Sequence, residues 1–139
     1  MICIIRIKGR VKIDWDVKET LERLRLGKKY TCVVLVNPNR EQEGMIKKLR
    51  NFVAFGNISK EVLEKLIDTR GQKIDEKKKL DPRKIVEELE KGKTYESLNL
   101  KPFFRLHPPR RGIQSKQHFP KGVLGDNGEK INDLVLRML

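Results

Sequence analysis

Several stretches of this 139-residue chain contain no acidic residue, although the chain has 19 aspartates and glutamates, and two of them carry ten of its thirteen net charges. Those two are residues 1–13 and residues 101–125. A segment with several cations and no acid cannot neutralise itself, so each calls for an anionic partner. Other shortages narrow the function further. The only cysteines, Cys3 and Cys32, lie in apolar runs without CxxC spacing, which excludes a thiol redox motif and points to buried thiols in a reducing cytosol. The only histidines, His107 and His118, have no cysteine nearby to complete a zinc site, so neither metal nor cofactor is expected. There is no GxGxxG. Gly92-Lys93-Thr94 resembles the end of a phosphate loop, but Glu87 stands where the leading glycine belongs and a helical pattern precedes it. The carboxylates of Asp75-Glu76 and Glu87-Glu88 sit among lysines, with nothing to desolvate or crowd them as a general acid requires. An enzyme is not expected. No apolar stretch approaches a membrane span, and Arg6, Lys8 and Arg10 break the first apolar run, so no signal peptide is expected. These features predict a soluble, cytoplasmic protein.

What is present is positive charge. The net charge is +13, with 37% of residues charged and 37% hydrophobic. Four of the thirteen come from Arg6, Lys8, Arg10 and Lys12, and six from Lys101, Arg105, Arg110, Arg111, Lys116 and Lys121. The excess is therefore concentrated, and nucleic acid is the commonest polyanion that such a pattern meets. Phe103 to His107 alternates, with Phe104 and Leu106 on one face and Arg105 and His107 on the other, which predicts a half-buried strand. Pro108-Pro109 ends it. The residues beyond have no periodicity, and 109–121 are expected to be mobile before RNA binds. Arginine matches phosphate and stacks on bases, and Phe119 is available either to stack on a base or to tuck against the fold. A solvated basic loop is the plainer alternative, but such a loop would mix its signs.

Along the chain, Ile2 to Ile7 reads as a strand. Asp16 with Glu19 starts a helix with a Val17, Leu21 and Leu24 stripe that stops at Gly27. Tyr30 to Val36 is an apolar, central strand. Asn39 with Gln42 caps a helix carrying Met45, Ile46 and Leu49, and Phe52 to Ile58 is a third strand weakened by Gly56. Both helices are expected on one face of this β-α-β-α-β unit, a two-layer α+β sandwich. Gly44, inside the second helix, marks close packing or close approach of an RNA backbone, with Lys47, Lys48 and Arg50 on the polar side after it. Ser59 begins a helix ending at Gly71, Asp81-Pro82 another ending at Gly92, and Asp126 with Glu129 is expected to cap a last one carrying Ile131, Leu134, Val135 and Met138. The division is residues 1–58 as the core and residues 59–139 as a helical extension, with the basic arm at 101–125 and a C-terminal helix packing on the core.

NREQEGMIKKLRNFVAFG, from Asn39 to Gly56, together with FRLHPPRRG and the closing INDLVLRML, resembles the large-subunit ribosomal protein family L-thirty in its longer archaeal form (eukaryotic L-seven type). Gly44-Met45-Ile46 and Leu106-His107-Pro108-Pro109-Arg110 are the specific parts. Glu43 departs from the arginine often found before Gly-Met-Ile, and Arg111 stands where the family's arm has its first glycine. The resemblance implies a three-stranded antiparallel sheet, a variant of the ferredoxin-like arrangement, backed by helices. It also implies a non-enzymatic structural constituent of the large ribosomal subunit, a monomer within the ribosome, bound to large-subunit rRNA and in contact with neighbouring ribosomal proteins. Lys101, Arg105, His107, Arg110, Arg111, Lys116, Lys121, Arg6, Lys8, Arg10, Lys12, Gly44, Lys47 and Lys48 are the candidate RNA contacts. The alternatives are a free-standing RNA-binding regulator or chaperone, and a nucleic-acid-processing enzyme using His107 or His118.

Overall fold

The computed structural model describes residues 1–8, 14–36, 38–72, 74, 81–98, 100–110, 122 and 124–139. The β-branched run at the N-terminus forms β1 (Ile2–Arg6), followed by α1 (Trp15–Arg23), β2 (Thr31–Leu35), α2 (Arg40–Lys48) and β3 (Val53–Asn57). Helices α3 (Lys60–Arg70) and α4 (Pro82–Glu90) come next, then the short strands β4 (Phe104–Arg105) and β5 (Gly125–Asp126), and finally α5 (Ile131–Met138).

The strands form one sheet in the order β4-β2-β1-β3-β5. β1 is central and antiparallel to both neighbours, with Cys3 opposite Val34 and Gly56, and Ile5 opposite Cys32 and Ala54. β4 joins β2 antiparallel through Thr31–Arg105 and Cys32–Phe104, and β5 joins β3 in parallel through Ala54–Gly125 and Phe55–Asp126. The sheet is therefore mixed and five-stranded, which corrects the expected three-stranded antiparallel sheet. Its antiparallel trio is the middle of a wider sheet. β4 lies within the strand expected from Phe103 to His107, whereas β5 is two residues long, too short for any alternation to register in the sequence.

Side chains alternate across a strand, so the sheet has two apolar faces. On one, Cys3, Ile5, Cys32, Val34 and Ala54 meet the buried stripes of α3, α4 and α5. On the other, Ile4, Val33 and Val53 meet Leu21 of α1, Leu24 beyond it, Ile46 of α2 and Leu49. α1 and α2 do share a face, as expected, but the expected two layers are three. Burial on both faces is why β1 and β2 read as unbroken apolar runs.

Local signals place most helix ends. The α2 capping box is formed, with the Gln42 N–H donating to Asn39 Oδ1 at 2.9 Å and the Asn39 N–H to Gln42 Oε1 at 3.1 Å. Ser59 Oγ accepts from the Val62 N–H at 3.3 Å and starts α3. Two expectations are corrected. α1 begins at Trp15 after Asp14, which makes no side-chain cap, rather than at Asp16. Asp126 belongs to β5, and its carboxylate accepts from the Gly128 N–H at 2.9 Å, so it shapes a 3-10 turn (Gly128–Lys130) instead of capping α5.

Candidate nucleic-acid interface

The described start of the arm is anchored to the fold. The Lys101 N–H donates to the Gln72 carbonyl at 2.9 Å, while its side chain is exposed. Phe104 is fully buried and Leu106 packs partly against the same cluster, as their alternation predicts. Arg105 points the other way, exposed, with its guanidinium 5.0 Å from the centroid of the Phe103 ring. The Leu106 N–H donates to the Tyr30 carbonyl at 3.0 Å, which holds this strand to the end of the α1–β2 connection.

Past Leu106 the chain is tied to the last turn of α5. The His107 N–H donates to the Met138 carbonyl at 3.2 Å. Its half-buried ring has Nδ1 2.7 Å from the Pro108 carbonyl and Nε2 against the Leu139 carbonyl. Both ring nitrogens are thus taken up by backbone oxygens. His107 fastens the arm to the helix end. Arg110 follows, its N–H donating to the Arg137 carbonyl at 3.0 Å and its own carbonyl accepting from Arg137 Nε at 3.0 Å and Nη2 at 2.9 Å. The two arginines sit at a helix C-terminus, where the macrodipole favours cations. The Arg110 side chain is exposed. Arg111, Lys116, Lys121, His118 and Phe119 lie outside the described residues, as do the expected mobility of the arm and the cations Arg10 and Lys12.

The first strand divides its cations. Arg6 is 2% exposed, with Nε donating to the Lys8 carbonyl at 3.0 Å and Nη1 to the Leu26 carbonyl at 2.8 Å. A buried charge needs partners of this kind, and carbonyls provide them. Arg6 therefore bolts β1 to the α1–β2 connection and faces away from solvent. Lys8 is half-buried, its ammonium 5.9 Å from the centroid of Phe52.

On α2, Gly44, Lys47 and Lys48 are all exposed. A Cβ placed on Gly44 would meet nothing within 4 Å, so internal packing does not require this glycine. Lys47 and Arg50 border a depression of about 380 Å3 with Phe55 and Asp126.

One further cationic group lies on the same side as Arg105. Arg25 and Lys28, both exposed, stand with Arg105 around a depression of about 420 Å3. Its signal in the sequence is the density of cations in Arg23 to Lys29, which reads only as the end of a helix. Among the described residues no three His, Cys, Asp or Glu side chains come together to hold a metal. No helix among them is long and apolar enough to cross a membrane.

Residues 2–53, from β1 to the first residue of β3, match the family described as ribosomal protein L30p/L7e. The chain is 37% identical to the large ribosomal subunit protein uL30 of Archaeoglobus fulgidus, across 99% of each chain. It is 39% identical to the uL30 of Ignicoccus hospitalis, across 98% of this chain and 96% of that one. To the uL30 of Nanoarchaeum equitans it is again 39% identical, across 100% and 99%. With likeness of that degree running from end to end, through the arm and α5 as well as the β-α-β-α-β core, the chain belongs to the L30p/L7e family of ribosomal proteins, in its archaeal uL30 form.

Proposed function

We propose that the chain is a structural constituent of the large ribosomal subunit, where it binds large-subunit rRNA and catalyses no reaction. The observation that carries this reading is its end-to-end likeness to uL30 proteins. The concentration of charge in two acid-free segments supports RNA as the contact, because cations that meet phosphates release condensed counterions and let RNA segments approach one another. On this reading residues 1–58 are the core, and residues 59–139 are the extension that presents the arm. The exposed side chains of Lys101, Arg105, Arg110, Lys47 and Lys48 are contacts, continued by Arg10, Lys12, Arg111, Lys116 and Lys121. One copy sits in each subunit beside neighbouring ribosomal proteins, in cytoplasmic ribosomes.

Gradient sedimentation of cell extract tests the reading. The chain is expected to migrate with the large subunit and to stay with it through a moderate salt wash. Migration near the top of the gradient, or release of the whole population in the wash, favours a free-standing RNA-binding regulator or chaperone instead.

A further inference from the structure

Helix α1 ends in a Schellman motif. The Leu26 N–H donates to the Leu21 carbonyl at 2.8 Å and the Arg25 N–H to the Glu22 carbonyl at 3.0 Å. The residue that makes the turn is Arg25, with a φ of 62°. This is the left-handed region, where glycine is favoured and a Cβ is strained. Gly27, the glycine from which a stop would be read, lies two residues farther on. The arginine weakens the turn relative to glycine. Its side chain is exposed and forms no hydrogen bond or ion pair with any described residue. A cation for the helix dipole is already present in the last turn as Arg23. The other described non-glycine residue with positive φ, Tyr30 at 63°, is accounted for differently. Its N–H donates to the Arg6 carbonyl at 2.8 Å and its carbonyl accepts from Leu106, so it ties β1 to the arm strand. Backbone strain at an exposed cation without an internal partner is what a binding residue shows.

The surroundings of Arg25 supply a second, independent feature. With Lys28 and Arg105 it borders the 420 Å3 depression, which Phe103 also lines. That volume is in the range of ligand clefts, about 300–1,000 Å3. Glu22 is on the rim too, so three cations face one carboxylate. The Arg105 guanidinium over the Phe103 ring makes a platform of the kind on which unstacked bases lie. On its other side Arg25 borders a neighbouring depression of about 390 Å3, which Lys93 also lines.

We propose that the α1–β2 connection is a second RNA site, in which Arg25 and Lys28 hold consecutive phosphates while an unpaired base lies against Phe103 and Arg105. Arginine suits the first role because its planar fork matches a phosphate bidentately. Phe103 packs with the α1 and α2 face of the sheet, whereas the arm is fastened to α5 on the opposite face. The two sites therefore flank the β4 edge, and RNA can engage the protein from both sides of it. The proposal rests on the reading of the chain as an rRNA-binding protein.

Arg25→Gly is the informative variant, because glycine relieves the backbone strain while removing the guanidinium. Binding of the full chain to transcribed large-subunit rRNA is measured by filter retention over a range of salt, alongside thermal unfolding. Arg25→Gly is expected to unfold at the wild-type temperature or above it, to bind several-fold more weakly, and to show a salt slope shallower by about one unit. Arg25→Gly/Lys28→Gln is expected to lose about 1.5 units, and bound rRNA is expected to protect the Lys28 amine from acylation. Wild-type affinity and slope in both variants, with Lys28 as reactive in the complex as in the protein alone, overturns the proposal while leaving rRNA binding intact. A lowered unfolding temperature for Arg25→Gly with unchanged affinity also overturns it, since the arginine is then structural. If the wild-type chain itself does not retain the rRNA, the functional reading falls and takes this site with it.

Discussion

Gly56 and Gly44 answer to opposite demands. A Cβ on Gly56 would run into the Gly128 carbonyl oxygen and lie 3.0 Å from Ile131 Cβ, so the bare backbone of β3 is what lets the 3-10 turn and the start of α5 close onto the sheet. Gly56→Ala is expected to lower stability by about 1–3 kcal/mol, the usual cost of overpacking, read from the denaturant midpoint. An unchanged midpoint would mean that the turn yields freely. In the sequence this glycine shows only as a weakness of the strand, because close approach from a segment far along the chain leaves no local mark. At Gly44 the space is open, and alanine is expected to raise stability by about 0.5–1 kcal/mol. If rRNA affinity falls at the same time, RNA backbone approaches there. If affinity holds, the glycine is incidental.

The buried hydroxyl and thiol on the α3–α5 side of the sheet set the alkaline limit of the fold. A hydrogen bond with Cys3, whose sulfur is 3.2 Å away, and burial push the Cys32 thiol above its ordinary value of 9.0. Burial pushes the Tyr95 hydroxyl, which donates to the Val34 carbonyl at 2.5 Å, above its ordinary 10.0. The folded chain keeps both protons at a pH where the unfolded chain has lost them. Their contribution is therefore complete below about pH 9 and declines as pH rises from there. The urea midpoint is expected to fall above about pH 9, and Tyr95→Phe is expected to flatten the part of the fall above about pH 10. A Tyr95→Phe curve parallel to the wild type would remove the tyrosine from this account.

At the scale of elements, legibility followed length and directness of signal. β1 to β3 were readable because each is five residues long and mostly apolar or β-branched, and α2 and α3 because Asn39, Gln42 and Ser59 form the caps that their types suggest. β5 was not readable, since Gly125-Asp126 looks like a turn and acquires strand character only by pairing with Ala54 and Phe55. The same limit applies to the site. Charge counting found Arg6, Lys101, Arg105 and Arg110, but a count carries no direction, so it could not tell Arg6, turned inward, from Arg105, turned outward. His107 shows the difference in a testable way. Because its ring Nε2 holds the arm strand to the end of α5, His107→Ala is expected to cost about 1–2 kcal/mol of stability and to leave the salt slope of rRNA binding unchanged. A shallower slope with unaltered unfolding would return His107 to the RNA surface.

At the scale of the whole molecule, neutral packing and charge are separated. The two sheet faces and the helices of the described residues bury almost wholly apolar side chains, while ten of the thirteen net charges fall in residues 1–13 and 101–125. Fold and affinity should therefore respond to different mutations. If Lys101, Arg105, Arg110, Arg111, Lys116 and Lys121 all meet phosphates, they alone contribute a slope of about −4 to −5 in log K against log salt. Replacing Arg110 and Arg111 with alanine is expected to make the slope shallower by roughly 1.5 units and to weaken binding to any RNA of suitable shape. Stability should change by no more than about 0.5 kcal/mol, because the Arg110 side chain is exposed and its contacts with Arg137 run through backbone atoms that alanine keeps. A solvated loop expects unaltered slope and unaltered affinity instead. If the double variant binds large-subunit rRNA as the wild type does, the arm is not the main contact. The α1–β2 connection and α2, whose exposed cations lie on the other face of the sheet, would then carry the affinity.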